Sequence, residues 1–137
     1  MTLRQAPVIQ IREVPLTDAR VKQVLWWFET SCCVQTHGYD RALLATNRNG
    51  SPVGLLAFRQ LDGVLDFSRA VHPRSRRKGI ASRLLDHLIQ VYPTHLLTCT
   101  SIHAWMQPWL ESRGFSPDPR RSQSFGNSSF VRSPHVR

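Results

Sequence analysis

The sequence is short of acid and of cysteine. Against 18 Lys and Arg it carries 9 Asp and Glu, a formal charge of +9 at pH 7. That surplus points to acidic partners: phosphate-bearing cofactors, nucleic acid, acidic proteins or an anionic membrane surface. The three cysteines, Cys32, Cys33 and Cys99, are odd in number and two are adjacent. Such a set does not build a disulfide framework, so a cytoplasmic setting is expected. No apolar run approaches the ~20 residues of a membrane span. Residues 1–16 lack the apolar core and small-residue cleavage site of a secretion signal. There is no G-x-x-x-x-G-K-[ST], which excludes a P-loop nucleotidase, and no G-x-S-x-G nucleophile elbow. Cys32, Cys33 and His37, or Cys99 and His103, could be imagined around zinc, but neither set has a paired Cys-x-x-Cys knuckle. No metal is expected.

What is present is one domain's worth of chain. The 137 residues are 41% hydrophobic, enough for a single modest core across residues 1–137. Residues 8–14 alternate apolar and polar and predict a first strand, closed by Pro15. Thr17 or Asp18 caps a helix over about 18–29, with Val21, Val24, Leu25 and Phe28 at helical spacing. Trp26 and Trp27 cannot both centre on that face, so one is expected in the core and one half-exposed. A short helix and a loop are expected over 30–40. Three apolar runs follow, 42–46, 53–58 and 64–71, separated by Asn47-Arg48-Asn49-Gly50 and by Asp62-Gly63. Asn-Gly and Asp-Gly supply the positive φ of tight hairpin turns, so these runs form an antiparallel meander.

The period then changes. Ile80, Leu84, Leu85, Leu88 and Ile89 mark a helix that Tyr92-Pro93 ends. Residues 95–100 are the next strand, parallel to 64–71 by a right-handed crossover. A last helix over about 103–113 ends at Gly114, a C′ glycine. From 116 onward Ser, Pro and Arg dominate, with an edge strand expected near 128–132 that is a candidate for pairing in a homodimer.

The stretch that carries chemistry joins the 64–71 strand to the helix at Ile80. Six of the 18 basic residues (Arg69, Arg74, Arg76, Arg77, Lys78 and Arg83) lie within 69–83, with no acid among them. The first turn of a helix has N–H groups without intrahelical partners, and the positive end of the helix dipole lies there. A phosphate at that place gains roughly 0.3–1 kcal/mol from the dipole, plus hydrogen bonds. Gly79 and Ala81 have little or no side chain, so a pyrophosphate can approach the backbone.

Residue order sharpens this. Arg76-x-x-Gly79-x-Ala81, preceded by Val71-x-Pro73 and followed by Leu84-Leu85, resembles the acetyl-CoA pyrophosphate loop of the GNAT N-acetyltransferase superfamily. The string Leu110-Glu111-Ser112-Arg113-Gly114-Phe115 is similar to that family's closing F-Y-x-x-x-G-F element. The resemblance covers about residues 8–115 and leaves 116–137 as a poorly matched tail. It implies an α/β fold: a mixed, mostly antiparallel sheet of six to seven strands flanked by about four helices, splayed between strands 4 and 5. It also implies acetyl-CoA as co-substrate. The backbone of Ala70 and Val71 would pair with the pantetheine arm, and a bulge there would free an N–H for the thioester oxygen. The amides of Arg76, Arg77, Lys78, Gly79, Ile80 and Ala81 would hold the pyrophosphate.

Departures from the family pattern bear on catalysis. Arg77 replaces the usual inner glycine, His103 stands at the family's helix asparagine, and Leu110 stands at its tyrosine, with Trp109 at the preceding aromatic position. Leucine cannot donate a proton. The remaining candidates to move one are His103 and Asp66, with His72 and Glu29 behind them. The resemblance thus implies an N-acetyltransferase in which an amine, on a small molecule or a protein, attacks the thioester directly. A basic protein tends to repel polyamines, which favours acidic peptides or neutral amines. The alternative is a catalytically weak acetyl-CoA-binding regulator of a partner protein. Nucleic-acid binding is disfavoured, because a cofactor pyrophosphate already accounts for much of the positive charge.

Overall fold

The computed structural model describes residues 8–19, 21–22, 25–26, 39–71, 79–101, 106–117 and 128–133. Seven strands form one sheet: β1 (Gln10–Pro15), β2 (Arg41–Thr46), β3 (Pro52–Leu61), β4 (Val64–Val71), β5 (Leu96–Ser101), β6 (Ser116–Pro117) and β7 (Ser128–Arg132). Their order across it is β1-β2-β3-β4-β5-β7-β6. Two helices accompany them, α1 (Ile80–Val91) and α2 (Met106–Glu111), and residues 19, 21, 22, 25 and 26 are helical as well. The short helix expected within 30–40 lies outside the described residues up to 38. By its contacts the chain divides into two units, Met1–Phe58 with Ser68–Val91, and Arg59–Phe67 with Tyr92–Arg137.

The first unit is built on the antiparallel pairs of β1 with β2 and β2 with β3. Pro15 closes β1 as its last residue, opposite Arg41. The following helical segment is capped at Asp18, whose carbonyl accepts the N–H of Lys22 at 3.0 Å. Side chains alternate across each strand. On one face Val21 and Leu25 of that segment pack with Ala42 and Leu55, bordered by Val14, Leu16 and Leu44. On the other face Leu43 and Leu56 stand opposite each other, both fully buried, and α1 lies against β2. Ile80, Leu84, Leu85 and Leu88 give α1 its buried stripe. Trp26 is exposed and is therefore the outer member of the tryptophan pair.

Both hairpin turns follow their sequence chemistry. Asn47 Oδ1 accepts the N–H groups of Asn49 and Ser51, each at 2.9 Å, which fixes the turn between β2 and β3. Asp62 and Gly63 have φ of 53° and 78°, the two consecutive left-handed residues of a two-residue turn whose twist suits the flanking strands.

The second unit holds the start of β4, then β5, α2, β6 and β7. β4 pairs with β5 in parallel from Val64↔Leu96 to Phe67↔Cys99, as a right-handed crossover requires. Leu65 and Phe67 face one side of the sheet and are buried, as are Leu97, Cys99 and Phe130 beside them in register. Phe67 meets Phe115 edge to face, centroids 5.9 Å apart. Helix α2 ends as the glycine predicts. The N–H of Gly114 donates to Glu111 O at 3.0 Å and that of Phe115 to Leu110 O at 3.1 Å, the two bonds of a Schellman motif. Arg132 Nε adds a hydrogen bond to Arg113 O at 2.9 Å.

The tail differs from expectation. Residues 128–132 do form a strand, but it is not at the sheet edge: β7 pairs with β5 on one side and with β6 on the other. Ser116-Pro117 supplies the outer strand by pairing with Val131 and Phe130. A dimer built on a free edge over 130–131 therefore has no such edge to use.

Candidate functional site

Of the eight residues expected around acetyl-CoA, five fall within the described residues: Ala70, Val71, Gly79, Ile80 and Ala81. Arg76, Arg77 and Lys78 lie outside them, as do His72, Arg74, His103 and Glu29. Ala70 and Val71 end β4, and Gly79 opens α1, so the described part of the cradle belongs to a single unit.

Gly79 is the N-cap of α1. Its carbonyl accepts the N–H of Arg83 at 3.0 Å, the first bond of the helix. Its φ is +75°, a conformation L side chains rarely adopt, and a Cβ built there would meet no atom within 4 Å. So it is backbone conformation, and not crowding by the protein, that calls for glycine here. The open space lies where the amides of Ile80 and Ala81 begin the helix. An N-cap glycine also lacks the side-chain oxygen with which Ser or Asp would satisfy those amides. No acidic residue stands in the first turn of α1. An uncrowded helix start that offers N–H groups and no competing carboxylate fits a pyrophosphate.

Asp66 sits in the second unit, in the middle of the parallel ladder. It pairs in register with Thr98 on β5. The Thr98 hydroxyl donates to Asp66 Oδ1 at 3.0 Å, and Arg59 Nη2 of β3 stands 3.9 Å from Oδ2. The Asp66 side chain keeps 21% of its surface exposed and that of Arg59 52%, whereas Thr98 is 1% exposed. The carboxylate is thus fixed from the buried side and reachable from the other. Asp66 alternates with Leu65 and Phe67, so it lies on the sheet face opposite the Phe67–Phe115 contact.

Leu110 is fully buried within α2, so the position matched to the family's tyrosine belongs to the core here. Trp109 is half-buried, with the Arg113 guanidinium 5.2 Å from its ring centre. Cys99 is a buried free thiol on β5, as its apolar setting predicts. Among the described residues no three His, Cys, Asp or Glu stand together as metal ligands, and no helix is long and apolar enough to cross a membrane.

Sequence reasoning missed Thr98 and Arg59. Each carried a signal: Thr98 is a polar interruption in the apolar run 96–99, as Asp66 is in 64–67. What joins the two is the parallel register, which the length of a crossover does not fix.

The profile of the Acetyltransferase (GNAT) family matches residues 8–115. No curated protein matches the chain in sequence. Solved structures share its fold at low identity. The ribosomal-protein-S18-alanine N-acetyltransferase of Escherichia coli is 16% identical, with 95% of this chain and 96% of that one covered at a TM-score of 0.72. An acyl-CoA N-acyltransferase of Pseudomonas aeruginosa is 14% identical, covering 92% and 100% at 0.70. A phosphinothricin acetyltransferase of Sinorhizobium meliloti, solved in complex with AcCoA, is 14% identical, covering 90% and 87% at 0.61. The mixed sheet with β4 parallel to β5, the glycine-capped α1 and the matched span agree: this chain belongs to the GNAT acetyltransferase family.

Proposed function

We propose that the protein is a cytoplasmic N-acetyltransferase that moves the acetyl group of acetyl-CoA directly to an amine on a small molecule or a protein. The observation that carries this reading is Gly79, an N-cap at φ +75° with open space beside it, inside the Arg76-x-x-Gly79-x-Ala81 pattern of a GNAT chain. Bound acetyl-CoA supplies an activated thioester. The amides from Arg76 through Ala81 hold its pyrophosphate, with the Arg76 guanidinium adding charge, and the backbone of Ala70 and Val71 aligns the pantetheine arm. Backbone groups suit this work because they are fixed before the ligand arrives.

A lysine-like primary amine titrates near 10.4, so at neutral pH the acceptor arrives protonated and a group of the protein or a water must take its proton. Asp66 and His103 are the residues assigned to that transfer. Asp66 stands on the strand that ends in Ala70-Val71, about 13 Å before Ala70 at the usual rise per residue. No acid is assigned at residue 110, because thiolates leave readily: a free thiol titrates near 8.5.

The second reading, a binding protein with little turnover, is favoured by the burial of Leu110, which leaves nothing titratable at that place. Release of free CoA from acetyl-CoA over a panel of amines separates the two. Amine-dependent release supports the enzyme. Stabilisation by acetyl-CoA without release supports the regulator.

A further inference from the structure

Thr98 stands apart from the rest of the buried set. The other residues in that set are apolar, and Thr98 is the polar one among the described residues, at 1% exposure. A buried hydroxyl is costly unless it is hydrogen-bonded. Its bond here goes across the parallel ladder to one oxygen of Asp66, at 3.0 Å. Valine has nearly the same shape and would fill the site without that requirement, so packing alone does not explain a threonine. The hydroxyl meets Oδ1, and Oδ2 faces the half-exposed Arg59.

We infer that Thr98 is a positioning residue: its hydroxyl locks the Asp66 carboxylate in one rotamer and commits Oδ2 to the proton of the acceptor amine. This rests on the acetyltransferase reading and deepens it. As the acceptor nitrogen bonds to the acetyl carbon, its N–H proton passes to Asp66 Oδ2, directly or through one water. The C–S bond breaks and CoA leaves as thiolate. Asp66 then returns the proton to solvent or to that thiolate, and Thr98 is unchanged throughout. An exposed carboxylate on a free rotor loses reactive geometry, and a held one keeps it.

The test compares Thr98→Val and Thr98→Ser, each in the wild-type and Asp66→Asn backgrounds. Thr98→Val should lower kcat about tenfold or more, a part of the 10²–10⁴ that a positioned proton acceptor supplies. It should leave KM for acetyl-CoA unchanged, and Thr98→Ser should restore kcat to near wild type. In the Asp66→Asn background, Thr98→Val should cost nothing further. A readout free of turnover accompanies this: in cofactor-free protein the ¹³C resonance of the Asp66 carboxyl should move in Thr98→Val and return in Thr98→Ser. A folded Thr98→Val with wild-type kcat overturns the inference, as does an equal loss in both backgrounds. Wild type that is stabilised by acetyl-CoA yet acetylates no amine overturns the enzyme reading together with it. An active wild type indifferent to Thr98 overturns the inference alone.

Discussion

The backbone N–H of Phe115 reaches back over Gly114 to the carbonyl of Leu110, at 3.1 Å, and both side chains are buried. Leu110 is therefore held twice, by its carbonyl in the helix cap and by its side chain in the core. A tyrosine there must find room for a ring and a partner for a hydroxyl. Leu110→Tyr should lower stability by about 1–3 kcal/mol, as overpacking does. Urea unfolding measures this, and an unchanged midpoint would show that residue 110 has space beside it. Any gain in CoA release by this variant would identify a missing proton donor and favour the regulator reading of the wild type.

Gly79 separates folding from binding. Gly79→Ala should cost about 1–2 kcal/mol, because alanine resists φ +75°. Its methyl group meets open space, so acetyl-CoA should still raise the melting temperature of the variant. Gly79→Glu adds a carboxylate at the helix start, and that shift should vanish. A wild type with no shift at millimolar acetyl-CoA would remove the ligand assignment.

Salt should weaken acetyl-CoA binding only modestly. An amide cradle is fixed in place and carries partial charges, whereas lysine and arginine side chains carry full charges that salt screens strongly. Calorimetric titration at low and high salt tests this. Loss of binding at moderate salt would show that the arginines and Lys78 dominate.

His103 is the other residue assigned to proton transfer. His103→Asn installs the family's residue and removes a group of the kind that titrates near 6.5. Turnover should fall, and any inflection of rate between about pH 6 and 7 should disappear. An unchanged rate and pH profile would leave Asp66 as the remaining candidate.

Much of the fold was legible because local chemistry dictates it. Asp62-Gly63 and Asn47 to Gly50 forced the hairpins, and the Ile80, Leu84, Leu85 and Leu88 stripe forced α1. Gly114 announced the end of α2. The position of β7 was not legible, because its partners are distant in sequence: Cys99 finds Phe130, and Phe130 finds Pro117. Strand pairing at such separation depends on which hydrogen-bonding edge is vacant, and no local residue states that. The candidate site divides in the same way. The glycine loop is a contiguous motif and could be read. The Arg59–Asp66–Thr98 group comes from three strands and becomes visible only once their register is known.

The placement of β7 also fixes an order of events as the chain is made. The meander of β1 to β4 and helix α1 pair between sequence neighbours and can form early, since short loops close at little entropic cost. β5 gains its second hydrogen-bonded neighbour only when Ser128–Arg132 emerges from the ribosome. Until then one side of an apolar strand, Leu96 to Cys99, presents bare N–H and C=O groups, the kind of template on which unrelated chains add strands. Shortening the chain ahead of Ser128 would make that interval permanent, so such truncations should collect in inclusion bodies even though the acetyl-CoA motif is left whole.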